Sequence, residues 1–341
     1  MTSRERVLRC LEFSSPDRIP RDLWVLPRAE IELGKEAIAA FRKRWPGDIA
    51  QASVGRPPPL RASGDPTAEG EYTDEWGCVF RNIQAGVMGE VRDPILADWS
   101  KLDHLRPPTE FLQVDRETVN AFCRATDRFV FASGWGRLFE RIQFLRGSEN
   151  VMYDLADEPS EFLDLLNRVH GFYRDQYEVW AKTEVDALVL MDDWGSQQSL
   201  LISPAQWRRL FKPRYAEYVR IAHDAGKTFF MHSDGCIFDI YEDLIEIGVD
   251  AINSQLFCMD IGEIGRRFGG RIAFWGEIDR QHVLPFGTVE EVEAAVRRVA
   301  DALYRPKGGI IAQFEISAGI PLTNAEAVYR TWEAVEAAGV P

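Results

Sequence analysis

From residue 128 onward, short apolar runs alternate with longer stretches in which apolar residues recur every three or four positions. The runs "RFVFASGW", "DALVLMDDW", "TFFMHSDG", "DAINSQL", "RIAFWGEI" and "GGIIAQFE" are apolar on both faces, as expected of parallel strands covered by helices. The stretches between them carry a helical period. In "EFLDLLNRVHGFYRDQYEVW", Phe162, Leu165, Leu166, Val169 and Phe172 mark one face. Ser203 as N-cap, Pro204 at the first helical position and Gln206 closing a capping box predict one helix running to Gly226. Thr2 with Glu5 and Thr288 with Glu291 predict two further capping boxes. Before residue 128 the pattern is less regular. A turn precedes a strand near Ile19–Val25, and residues 56–70, rich in Pro, Gly and Ala, read as a loop. Short β-prone runs flanking Gln84–Gly86 predict an antiparallel hairpin over residues 72–93.

Alternation of this kind yields either a doubly wound sheet or an eight-stranded barrel. No GxGxxG follows any strand, which weighs against a dinucleotide fold. Strong βα units fill the last two-thirds and two or three more precede them. The expectation is therefore a single (β/α)8 TIM barrel over residues 1–341, with the hairpin inserted near its mouth. Composition narrows the function. An apolar fraction of 45% with 28% charged residues is ordinary for a globular enzyme-sized chain. A net charge of −14 argues against a nucleic-acid partner, because phosphate binding needs clustered Lys and Arg. No apolar run reaches membrane-spanning length, and the charged start "MTSRERVLRCLEF" gives no reason to expect a secretion signal or a membrane partner. Five scattered cysteines without a CxxC pair suit free thiols in a reducing cytoplasm.

In such a barrel the chemistry gathers at the carboxyl ends of the strands. Here those ends carry Trp24, Trp135, Asp192, Asp193, His232, Asp234, Gln255, Glu277, Asp279 and Glu315. His232 and Asp234 flank one residue, so on an extended strand end both point the same way. Imidazole and carboxylate can ligate zinc or another divalent ion, or work as base and acid; equally, the pair can cap the strand and the helix after it. Of the adjacent Asp192 and Asp193, alternation sends only one into the mouth and leaves the other to cap or pair. Glu277 and Glu315 enlarge the carboxylate cluster, which suits acid–base work or metal binding. The plain alternative is ion pairing with Arg21, Arg137 or Arg280. Gln197 and Gln255 offer amide contacts to a small-molecule substrate. Trp24, Trp135, Trp194, Trp275 and Phe314 offer flat walls or simple packing.

The segments "RERVLRCLEFSSPDRIPRDLW", "FLRGSENVMYDLADEP", "DDWGSQQSLLISPAQWRRLFKPRY", "HSDGCIFDIYEDLIEIGVDAINSQ" and "FWGEIDRQHVLPFGTVEEV" together resemble the uroporphyrinogen decarboxylase-like superfamily along nearly the whole chain. The resemblance implies a (β/α)8 barrel. Uroporphyrinogen decarboxylase itself works without a cofactor and carries an arginine-rich "RQAGRY"-type loop. This chain has "RDLWVLPRAEIELG" there, with only Arg21 and Arg28 nearby, so the resemblance is closer to the corrinoid-dependent methyltransferases. Those imply a corrinoid (cobalamin) carried on a partner protein. The thiol-activating members also imply a zinc held by a His-x-Cys pair and a later Cys. His232 matches that histidine, Asp234 stands in place of the first cysteine, and Glu315 is the nearest replacement for the second, so His232, Asp234 and Glu315 are the expected metal ligands. His with carboxylates makes a harder site than thiolates, suited to polarising an oxygen-linked methyl donor. Asp193, His232, Asp234, Glu277 and Glu315 are then the expected catalytic groups, and Trp24, Trp135, Gln197, Gln255 and Trp275 the expected substrate contacts. A cofactor-free decarboxylase and a non-catalytic binding barrel are the competing expectations.

Overall fold

A computed structural model describes residues 1–339. Among these, eleven strands form two sheets: β1 (Arg21–Val25), β2 (Ile49–Gln51), β3 (Gly70–Thr73), β4 (Val79–Asn82), β5 (Glu90–Val91), β6 (Phe129–Phe131), β7 (Ala187–Met191), β8 (Thr228–Ser233), β9 (Ala251–Ser254), β10 (Ala273–Trp275) and β11 (Ile310–Ile316). Eight run parallel in the order β1-β11-β10-β9-β8-β7-β6-β2, with helices between them, as in a (β/α)8 barrel. The sheet is nearly closed, with β1 and β2 at its two ends. At that joint the Asp48 N–H donates to the Arg21 carbonyl at 2.8 Å. The fully buried Asp48 carboxylate accepts from Arg6, Arg18, Ser3 and the Arg21 N–H at 2.6–2.9 Å, tying the helix Ser3–Leu11 to the floor of the barrel.

Alternation along each strand sorts side chains into two cores. On β8, Phe229 and Met231 face the helices, while Phe230 points into the barrel. Inside, Phe129, Phe131, Phe230 and Trp275 pack edge to face with centroids 4.7–5.9 Å apart, so the lower barrel is a plugged core rather than a channel. Of the aromatic residues offered as walls or packing, Phe314 and Trp194 pack in the outer layer: Phe314 lies against Tyr329, and Trp194 stacks on Phe139 at 4.1 Å.

Two local expectations change. The segment around residues 72–93 is a three-stranded antiparallel meander, β3-β4-β5, with two turns. The first turn exists because Asp74 Oδ1 accepts the N–H groups of Trp76 and Cys78, an Asx-type turn. The helix expected from residue 203 to 226 is two, Pro204–Leu210 and Lys212–Asp224, broken at Phe211 beside Pro213, which has no N–H to continue the ladder. Ser203 caps the first at 3.2 Å, but the Gln206 side chain donates to the Leu155 carbonyl and closes no capping box. The boxes at Thr2/Glu5 and Thr288/Glu291 form as expected.

Candidate active site

The carboxyl end of β8 carries His232 into the barrel mouth on the same face as Phe230. His232 is buried, and its Nδ1 lies 2.6 Å from Asn253 Oδ1. The orientation of that amide is not free: Asn253 Nδ2 donates to the backbone carbonyl of Trp275 and, at 2.9 Å, to Gln313 Oε1. Only the oxygen is left for His232, so Nδ1 donates to it and Nε2 is the ring nitrogen turned to the mouth. Two carboxylates face that nitrogen. Asp193 Oδ1 is 3.5 Å away and Asp234 Oδ1 is 3.6 Å away.

These spacings are long for hydrogen bonds. They match the ~3.4 Å separating two ligands of one tetrahedral ion with ~2.1 Å bonds. One ligand atom from each of Asp193, His232 and Asp234 lies within 4.8 Å of the others, so the three can hold a metal. Asp234 Oδ1 is itself buried without a hydrogen-bond partner, which is costly for a carboxylate oxygen unless a cation fills the place. The donor set therefore fits a divalent ion with nitrogen and oxygen preferences.

The turn that holds Asp234 is fixed from several sides. Asp193 Oδ1 accepts the Asp234 N–H at 2.8 Å, and Gln255 Oε1 accepts the Gly235 N–H at 3.0 Å. The Gly195 N–H donates to the Asp234 carbonyl at 3.1 Å, and the Cys236 N–H to the Ser196 carbonyl at 2.7 Å. Gln255 is thus a buried latch on this turn, and Gln197 donates to it at 3.3 Å. Of the paired aspartates, Asp193 enters the mouth. Asp192 is fully buried behind it, accepting the N–H groups of Phe139 and Glu140 at 2.9 Å and the Tyr215 hydroxyl at 2.6 Å, and so docks the start of the helix Leu138–Arg146.

Glu277 and Glu315 do not join His232. Both face Arg280, which spans Asp234 Oδ2, Glu315 at 3.4 Å and Glu277 at 3.6 Å. The structure thus gathers Asp193 with His232 and Asp234, where the family resemblance implied Glu315. Burial pushes the Glu277 carboxyl well above the ordinary range, against the pull of Arg280. Burial likewise raises Glu315, again opposed by Arg280. On the other flank, Glu140 is raised by burial and by the Asp193 charge while pairing with Arg137 at 2.8 Å. Trp24 leans on His232 with centroids 5.2 Å apart and on Trp135 at 5.9 Å. Trp275 is fully buried below them and donates to Asp22 at 2.9 Å, so it floors the site. Asn253, Gln313 and Glu140 were not foreseen from the sequence. A lone amide at an inward position of the apolar runs "AINS" and "IIAQFE" is the signal that could have found the first two.

The sequence pattern of the uroporphyrinogen decarboxylase family matches residues 77–337. The chain belongs to that family. A methyltransferase from Methanosarcina mazei shares its fold with a TM-score of 0.70 at 15% identity, over 98% of this chain and 99% of that one. A 3-keto-D-glucoside 4-epimerase from E. coli matches at 15% identity over 65% of this chain and 84% of its own, with a TM-score of 0.37 too low to carry an argument. No functionally curated protein matches in sequence. Among the described residues no helix is long and apolar enough to cross a membrane.

Proposed function

We propose that this member of the uroporphyrinogen decarboxylase family is a methyltransferase that demethylates a small oxygen-linked methyl donor and delivers the methyl group to a corrinoid on a partner protein. The observation that carries the reading is the Asp193–His232–Asp234 cluster, with His232 Nε2 turned to the mouth and an unpartnered buried oxygen on Asp234. These three residues would hold a divalent ion, and zinc, which the family resemblance implies, is compatible with this nitrogen–oxygen set. When bound, the ion supplies Lewis-acid polarisation of the donor oxygen. The chain's own residues do the rest. Asn253 holds His232 in the ligating tautomer, and the Asp234 N–H fixes Asp193. Arg280 offsets part of the charge of Asp234, Glu277 and Glu315. Trp24 and Trp135 exclude water from one side and offer a flat face to the donor. Similarity in fold to the methyltransferase of Methanosarcina mazei supports the same reading.

Zinc titration of chelator-treated protein against a chromophoric competitor tests the site. One equivalent is expected for the wild type, with Asp193→Asn and His232→Ala each weaker by at least about tenfold and Asn253→Ala weaker by about tenfold. Equal zinc affinity in wild type and His232→Ala would overturn the metal assignment. Methylation of reduced cobalamin, followed by its absorbance with O-methyl donors, tests the reaction. A second reading, cofactor-free decarboxylation, draws on Glu277, a carboxyl whose burial favours the protonated form against the pull of Arg280, as a proton donor. Carbon dioxide release from candidate acids that is indifferent to chelator and corrinoid would favour it.

A further inference from the structure

One arginine near the mouth has no partner. Arg56, in the loop after β2, makes no hydrogen bond or ion pair with any described residue, and its Nε is buried. Its guanidinium is nevertheless held in place. Cζ lies 3.5 Å from the centroid of the Phe111 ring. On another side it rests against Gly134, where a Cβ would stand 3.3 Å from Cζ and where φ of +75° also favours glycine. The arginine lines a cavity of about 340 Å³, within the size range of small-ligand sites. Arg137 and Arg141 line the same space but are already committed. Arg137 pairs with Glu140 at 2.8 Å, and Arg141 pairs with Asp74 and, at 3.2 Å, with Glu75. Arg141 Nε is a second buried donor without an acceptor. Trp76, Phe172 and Tyr173 complete an aromatic wall, to which the β3–β4 turn contributes Trp76 and Glu75.

A half-buried guanidinium, stacked in place with its Nε buried and no protein acceptor, has its free edge turned to the cavity and is arranged for an anion supplied from outside. The charges around it select the anion. Only one arginine is free, and the Glu75 carboxylate stands in the same wall, so a singly charged, planar carboxylate suits the place better than a phosphate dianion. The cavity meets a larger one of about 680 Å³ at Gln51, Trp135 and Met191, and that space reaches Trp24, beside His232. Met191 is paired in register with His232 across β7 and β8.

We propose that the Arg56 cavity seats the carboxylate of the substrate, so that this protein acts on an anionic compound with a flat apolar body whose other end extends past Trp135 and Trp24 toward His232. The placing of that other end rests on the functional reading above; the carboxylate seat does not.

Benzoate, with benzamide as its neutral counterpart, probes the seat in calorimetric titrations of the full chain. Saturable benzoate binding is expected, weaker by at least about tenfold for benzamide and for Arg56→Gln. Arg56→Lys should recover part of the loss. Glu75→Gln, which removes the neighbouring negative charge, should tighten benzoate severalfold, a gain that misfolding cannot mimic. His232→Ala should leave benzoate affinity unchanged even where zinc binding is lost, which separates a failure of the seat from a failure of the metal site. Absence of saturable benzoate binding, equal affinity for benzamide, or unchanged affinity in both Arg56 variants would overturn the proposal. A loss in His232→Ala as large as that in Arg56→Gln would place the anion at the Asp193–His232–Asp234 cluster and overturn it equally.

Discussion

Asp22 shows what the barrel interior does to an ordinary carboxyl. It points inward from β1, is buried, and accepts from Trp275 Nε1 at 2.9 Å. Burial pushes its pKa from 3.8 up to about 6, with the Trp275 hydrogen bond opposing the shift. Between those two values the unfolded chain has released the proton and the folded chain still holds it. Stability from this group is therefore greatest at low pH and declines as pH rises through about 4 to 6. Asp22→Asn keeps an acceptor for Trp275 and removes the titration. Its melting temperature should fall less than that of the wild type between pH 4.5 and 7, the difference reflecting on the order of 1–3 kcal/mol. Parallel curves for the two proteins would refute the assignment. At this scale the sequence was a partial guide. Strand parity alone put His232 and Asp234 on one side and split Asp192 from Asp193. It could not tell that Asp193 rather than Glu315 meets His232, because that depends on how separate strand ends place each carboxylate across the mouth.

At the scale of elements, the site depends on how closely the β7 and β8 loops approach. Gly235 has φ of +78°, and its backbone lies against Gly195, leaving no room for a side chain. Gly235→Ala should therefore cost at least about 2 kcal/mol in urea unfolding and weaken zinc binding, since the turn that aims Asp234 must move. Loss of stability with undiminished zinc affinity would show that the turn does not set the ligand. The regular βα alternation was legible because long buried strands and capped helices carry strong local signals. β2 was not seen, since three residues with one inward apolar side chain leave little pattern. The meander's first turn escaped for a similar reason: a single aspartate, Asp74, makes it through two backbone N–H groups.

For the whole molecule, the joint between β1 and β2 is where the barrel is least supported by strand pairing. Asp48 secures it with a buried carboxylate shared by Arg6 and Arg18. Asp48→Ala leaves both guanidinium groups short of a partner and should destabilise the protein by about 3–5 kcal/mol, measured by urea unfolding. A change below about 1 kcal/mol would mean that the helices alone hold the barrel shut. The sequence by itself determined the fold class, the family, the strand ends that carry chemistry and the inward aim of His232 and Asp234. All of these follow from periodicity and local motif, which are properties of neighbours along the chain. The tertiary structure decided the tautomer of His232, the partner of each carboxylate, and the isolation of Arg56 against Phe111 and Gly134. Each of those depends on side chains brought together from distant strands and loops, within distances of a few ångströms that local sequence does not specify.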